Sequence, residues 1–151
     1  MTKRVLLAGG YGVVGAQVAR LLRKHHPAVE ILIGGRREKE AAKLAAELAH
    51  ASAAAIDVTK PAPLRAIEGI DALGVFIHEY EDHLLDEAAR RGIAYMDITR
   101  GLDAQLRGLA AAALHAPTAP MLFTSHWMAG GPAIVAKRLA HDLDSVTRVD
   151  M

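Results

Sequence analysis

Six short apolar runs recur along the chain, each followed by a stretch with helical spacing: Arg4–Ala8, Val29–Ile33, Ala53–Val58, Ile70–Ile77, Ile93–Ile98 and Met121–Thr124. Short, mainly apolar runs of this kind read as strands buried on both faces. A helix after each strand carries the chain back to the end where that strand began, so the strands pair in parallel. The expected fold is α/β, a doubly wound parallel sheet in three α/β/α layers with strand order 3-2-1-4-5-6.

Between the runs, Val14, Val18, Leu21 and Leu22 share one helix face, with Gln17, Arg20, Arg23 and Lys24 turned away from it. Leu44 and Leu48 repeat the spacing in REKEAAKLAAELAH (37–50), where Lys43 and Glu47 stand at i,i+4. Further helices are expected over Lys60–Glu68, with Pro61 near its start and Gly69 past its end, and over Tyr80–Arg91, Leu102–Leu114 and Pro132–Leu143.

Between the first strand and the first helix lies Gly10-Tyr11-Gly12-Val13-Val14-Gly15, a G-x-G-x-x-G. Gly10 is assigned the tight turn, and Gly12 leaves room for a pyrophosphate where a Cβ would collide. Gly15 allows close helix–strand packing. The free N–H groups at the helix start, aided by its dipole, then suit the phosphates of a dinucleotide. The competing explanation is that the glycines serve packing alone.

The second strand ends ILIGGRRE, with Gly34, Gly35, Arg36 and Arg37 at its tip and no acid to accept the ribose 2′-OH of NAD. A carboxylate there would repel a 2′-phosphate, whereas a guanidinium grips one, each charge-assisted bond contributing about 1.5–3 kcal/mol. NADP is therefore expected over NAD. Two solvated arginines opposing the helix dipole are the alternative.

Composition excludes several classes. The 151-residue length is that of a single domain. There is no cysteine, so disulfides and thiolate metal sites are ruled out, which suits a cytoplasmic protein. A net charge of +1 with 4% aromatics offers neither the basic face nor the stacking platform of a nucleic-acid binder. Lys3 and Arg4 before an apolar stretch imitate a secretory signal, but four glycines fit its helical core badly. No apolar run approaches the roughly 20 residues that span a bilayer.

Weaker candidates lie at the strand ends. HEYEDH (78–83) resembles a zinc motif with one residue added, but an i,i+5 pair sits about 140° apart on a helix and cannot chelate, so no metal is expected. His78 is instead placed in the cofactor crevice. Asp57, in AIDVT, and Asp97, in YMDITRG, either cap the following helix or contact a ligand. His126, in FTSHWMAGGP, is either a proton-exchanging substrate contact or a surface or capping residue. None of Tyr11, Tyr80 and Tyr95 has a lysine four residues later, which counts against a short-chain reductase.

VLLAGGYGVVGAQVARLL, ILIGGRREKEAAKLAAEL, AIDVTKP, RGIAYMDITRG and HWMAGGPAIVAKRLA together resemble the N-terminal NADP-binding (Rossmann) domain of the saccharopine dehydrogenase-like proteins. The resemblance implies that Gly10, Tyr11, Gly12, Val13 and Val14 line the pyrophosphate. It places Arg36, and Arg37 with it, at the 2′-phosphate, and Asp57 with Val58 beside the adenine. Two places depart from the family pattern: HEYED replaces a Gly-Pro-type turn, and Asp97-Ile98-Thr99-Arg100-Gly101 replaces D-x-S-G-E. Residues 1–143 are expected to form the dinucleotide-binding domain. Residues 144–151 read as a tail or as the start of a strand leading to a second, substrate-binding domain. The expected function is the NADP-binding part of an oxidoreductase with a small-molecule substrate, acting with such a second domain or as a homo-oligomer. A non-catalytic nucleotide-binding or redox-sensing module is the alternative.

Overall fold

In the computed structural model, which describes residues 2–124, 131–141, 145, 147 and 148, each of the six apolar runs contributes a strand. The elements in chain order are β1 (Arg4–Ala8), α1 (Val13–His25), β2 (Glu30–Gly35), α2 (Glu38–Ala46), β3 (Ala51–Ala55), β4 (Ala72–Val75), α3 (His83–Arg91), β5 (Ala94–Asp97), α4 (Leu102–His115), β6 (Met121–Phe123) and α5 (Gly131–Leu139). Every pairing is parallel, and the order across the sheet is β3-β2-β1-β4-β5-β6, as the alternation predicts. The chain winds outward from β1 to β3, then crosses back to lay β4 on the other side of β1. That reversal opens a crevice beyond the carboxyl ends of β1 and β4.

The two-residue period of β1 sorts the core into two layers. Leu6 and Ala8 join Leu32, Leu73, Leu84 and Leu85, which packs α3 on one face of the sheet, with Ala111 of α4 against the same cluster. Leu7 joins Ile31, Ile33, Ala19, Ala41 and Leu44, which packs α1 and α2 on the other. Burying one such leucine or isoleucine contributes about 1.5–3 kcal/mol. Among the described residues no helix is long and apolar enough to cross a membrane.

Several local expectations are corrected. On α1 the buried residues are Gly15 and Ala19, with Val18 and Leu22 packed beside them, while Val14 and Leu21 are exposed. Close seating of Gly15 rolls the helix so that its small residues face the sheet. On α2, Lys43 pairs with Glu40 at 3.1 Å, and Glu47 reaches Arg20 of α1 at 2.8 Å instead. Lys60–Glu68 forms no helix; turns and bends run through residue 66, with Ala62 at φ 54°. Pro61 and Pro63 each disfavour the α region for the residue before them, so the segment cannot propagate a helix. Leu64 is buried all the same, its N–H donating to Glu87 at 2.7 Å and its carbonyl accepting from Arg91 at 3.0 Å. α3 begins at His83, not Tyr80, because Asp82 is left-handed at φ 56°. The last helix runs to Leu139, and most of the expected strand over 144–151 lies outside the described residues.

A Cβ at Gly15 would come within 2.4 Å of the Gly9 carbonyl oxygen and 2.8 Å of the Gly10 Cα. Neither is a side-chain atom that can rotate away. Gly15→Ala is therefore expected to lower stability by about 1–3 kcal/mol although alanine is the better helix former, a loss read from the urea midpoint.

Candidate functional site

β1 ends at Ala8, and the chain turns at Gly9, whose φ of +77° suits glycine. The turn conformation expected of Gly10 thus belongs to its neighbour. Gly10 is needed for a different reason: a Cβ there would lie 2.7 Å from the Leu7 carbonyl oxygen. The N–H groups of Gly9 and Gly10 donate to the Gly34 carbonyl at 2.9 and 3.2 Å, tying the turn to β2. Gly12 then caps α1 with no side-chain hydrogen bond and no acid in the first turn. The N–H groups of Val13, Val14 and Gly15 have no acceptor within the helix, and Val13 is 82% exposed. A Cβ on Gly12 would meet one atom within 4 Å, the Gly9 oxygen at 3.2 Å. The cradle is open on its outer side and electropositive, which suits linked phosphates.

The tip of β2 completes one wall. Tyr11 crosses from the glycine loop and lays its ring where a Gly35 side chain would stand, 2.3 Å from an ideal Cβ. Its hydroxyl accepts the Arg37 N–H at 3.1 Å, and the Arg37 guanidinium lies over the ring at 5.4 Å. The two arginines therefore part: Arg36 lines the cleft, and Arg37 stacks on Tyr11. This cleft holds about 630 Å³ and brings together Tyr11, Gly12, Arg36, Val58 and His78. Asp57 stands beside it and caps no helix, since none follows. Its Oδ1 accepts from the hydroxyl and the N–H of Thr59 at 2.7 and 3.1 Å, which holds its carboxyl below the usual range, with Lys60 and Arg36 assisting.

A second cavity of about 620 Å³ opens beyond β4 and β5, and its lining shares His78 and Tyr80 with the first. At its base sits Arg100, whose side chain is 3% exposed. Arg100 donates to Asp97 from Nε, to Asp82 from Nη1, and to the Tyr95 hydroxyl at 3.2 Å from Nη2. Glu79 approaches Nη2 at 3.7 Å, and the Phe123 ring lies 5.8 Å from the guanidinium carbon. Asp97 is thus engaged with Arg100 and with Tyr95, at 3.0 Å from the latter, and not with the start of α4, which Gly101 caps. Burial pushes the Asp97 carboxyl up against the pull of Arg100. Burial opposes the Arg100 charge, but bonds from Tyr95, Asp82 and Asp97 outweigh it and hold the guanidinium charged.

Glu79 and Arg100 are the two groups that strand-end reasoning passes over. They lie in the segments HEYED (78–82) and DITRG (97–101). An arginine three residues after a strand-end aspartate, facing an acidic stretch one strand away, was the available signal. His126 lies outside the described residues. Among those described, no three histidine, aspartate or glutamate side chains are grouped to hold a metal ion.

Glu79 accepts the Leu84 N–H at the start of α3 through Oε1, while its buried Oε2 has no hydrogen-bond partner. Burial pushes its carboxyl up from 4.5 to about 7, against the pull of the Leu84 N–H and Arg100. Between those two values the unfolded chain has released a proton that the folded chain keeps, so folding stability falls as pH rises through the window. Glu79→Gln removes the titration but keeps an oxygen for Leu84. The melting temperature of the unsubstituted chain is expected to fall relative to that of Glu79→Gln as pH rises from 4.5 to about 7, with a constant difference above it. Thermal melts across that range decide the point.

No protein-family model matches the chain, and no curated protein matches it. Solved structures do. A myo-inositol dehydrogenase from Corynebacterium glutamicum superposes with a TM-score of 0.61 at 21% identity, over 93% of this chain and 41% of that one. A UDP-glucuronic acid 4-epimerase from Bacillus cereus in complex with NAD gives 0.57 at 10% identity, over 81% of this chain and 56% of the epimerase. The enzyme WbmG of Bordetella bronchiseptica in complex with NAD gives 0.53 at 16%, over 93% and 61%. The chain thus spans between about two-fifths and three-fifths of each of these proteins, and what it shares with these three enzymes is a Rossmann fold.

Proposed function

We propose that the chain is a nicotinamide-dinucleotide-binding domain, selective for NADP, of an oxidoreductase of the saccharopine dehydrogenase-like kind. The observation that carries this reading is the uncapped, acid-free start of α1 standing in one cleft with Arg36. Gly12 and the N–H groups of Val13 and Val14 would hold the pyrophosphate, beside Gly10 and Gly15. Arg36 would hold the 2′-phosphate, and Asp57 and Val58 would border the adenine. His78 would stand at the wall leading to the second cavity. When bound, the nicotinamide supplies the hydride; the chain orients it and excludes water. The five quoted motifs support the family part of the reading, and the bound NAD of two structural neighbours supports a nicotinamide dinucleotide without bearing on the choice of NADP. A small-molecule substrate, a second domain or second copy completing its site, and a reducing cytoplasm for this cysteine-free chain belong to the same proposal.

The alternative is a module that binds the dinucleotide without turning it over. The second cavity favours it in one respect: Asp82, Asp97 and Arg100 direct their charges at one another. Tight NADP binding with no turnover across a panel of carbonyl and imine substrates is its expected signature.

Calorimetric titration with NADPH and NADH tests the main reading. Arg36→Ala is expected to weaken NADPH at least about tenfold and to leave NADH nearly unchanged, since one charge-assisted bond accounts for such a factor. Equal weakening of both coenzymes removes Arg36 from the 2′-phosphate. Gly12→Ala, with its single contact at 3.2 Å, is expected to fold with little loss of stability and to weaken both coenzymes. An absence of heat with either at millimolar concentration overturns the proposal.

A further inference from the structure

Three features of the Tyr11 side chain occur together. Its ring fills the space above Gly35, so that the three atoms nearest an ideal Cβ there, at 2.3, 2.8 and 2.8 Å, all belong to Tyr11. Its hydroxyl takes the N–H of Arg37, at the peptide linking Arg36 to Arg37. Its face carries the Arg37 guanidinium. Arg37 is also the cap residue of α2, with no side-chain cap of its own, so the tyrosine hydroxyl restrains the start of that helix.

From this arrangement we infer that Tyr11 is a positioning residue for coenzyme selectivity, a latch that aims Arg36 into the cleft and closes the strand tip to an acid. The inference rests on the proposed function and deepens it. Rotation of the 36–37 peptide would swing both side chains. The bond from the Arg37 N–H to Tyr11 opposes that rotation, and the stacking of Arg37 on the ring leaves Arg36 as the arginine of the pair that lines the cleft. A carboxylate at position 35, as in an NAD site, would need the volume that the ring occupies. Selectivity is then built by two elements: an arginine on β2's exit, and a tyrosine from the phosphate loop that both orients it and shuts out its competitor.

The test compares the ratio of NADPH to NADH affinity, by calorimetry, across four variants. Tyr11→Ala is expected to reduce the ratio about tenfold, mainly by weakening NADPH. Tyr11→Phe keeps the ring and its guanidinium contact, and is expected to reduce it by roughly threefold or less. Gly35→Ala pushes the ring aside and is expected to lower both the ratio and the melting temperature. In Tyr11→Ala/Gly35→Ala the added methyl meets no ring, so the double variant should melt above Gly35→Ala and match the ratio of Tyr11→Ala. A loop that merely lost packing would weaken both coenzymes alike and leave the ratio unmoved, and that result in Tyr11→Ala overturns the latch. Should Gly35→Ala fail to fold, Tyr11→Ala and Tyr11→Phe still decide. An unsubstituted chain that binds neither coenzyme strikes the proposed function and the latch together, whereas a selective one with an unmoved ratio strikes the latch alone.

Discussion

Everything at the carboxyl end of the sheet depends on how near the backbone of α1 comes to the turn after β1. Gly15 sits so that even one methyl group would meet the main-chain atoms of Gly9 and Gly10. This contact fixes the helix start over the strand end and aims its unpaired N–H groups into the crevice. It also turns the helix about its axis, which is why Ala19 is buried while Val14 and Leu21 face water. A side chain large enough to fill the core would hold the helix too far away for the loop to close. The cost is a thin contact on this face of α1, which Val18 and Leu22 partly offset from the flanks.

The opposite side of the crevice is held by charge rather than by close backbone packing. Arg100 reaches from the loop after β5 to carboxylates on β5 itself, on the loop after β4 and at the start of α3. A buried guanidinium with three carboxylates around it is costly to desolvate and strongly destabilising to break. Such a network gives little net stability, but its angular demands are strict. Here those demands fall on residues 79–82, a segment that follows His78 and contains Tyr80, the two residues shared by the linings of both cavities. The Oε2 of Glu79, 3.7 Å from Arg100 Nη2 and without a hydrogen-bond partner, is the loose end of this network. Burial is the main cause that pushes the Glu79 carboxyl up to about 7, and the nearby Asp82 adds a smaller push in the same direction.

The sheet was legible because its signal is global: six mainly apolar runs, all separated by helix-length stretches. No single residue could reverse that conclusion, and strand order followed. The glycine loop was legible because steric demands at a strand–helix turn leave few residues to choose from. Local boundaries were less so. Lys60–Glu68 has helical composition, yet the prolines at 61 and 63 outweigh the propensities of the residues around them. The segment's polar backbone groups are then met by Glu87 and Arg91, long-range partners that a local window does not contain. The Arg100 network was hidden for the same reason, since its members come from separate stretches of chain and their meeting depends on the register of β4 against β5.

The tip of β2 marks a different limit on reading motifs by residue type. An absent acid after the second strand is usually understood as a missing group, a position left neutral or handed to an arginine. In this chain the position is occupied: the hydroxyl end of the Tyr11 ring fills the space that a Gly35 side chain would take. Gly35 is then less a statement about the coenzyme than about the tyrosine, just as Gly15 is a statement about the backbone of Gly9. Residues of the glycine loop and of the strand tip therefore share one space, and each limits what the other position can carry. A side chain introduced at position 35 alone would meet the Tyr11 ring first, and Arg36 beside it would still belong to the lining of the cleft.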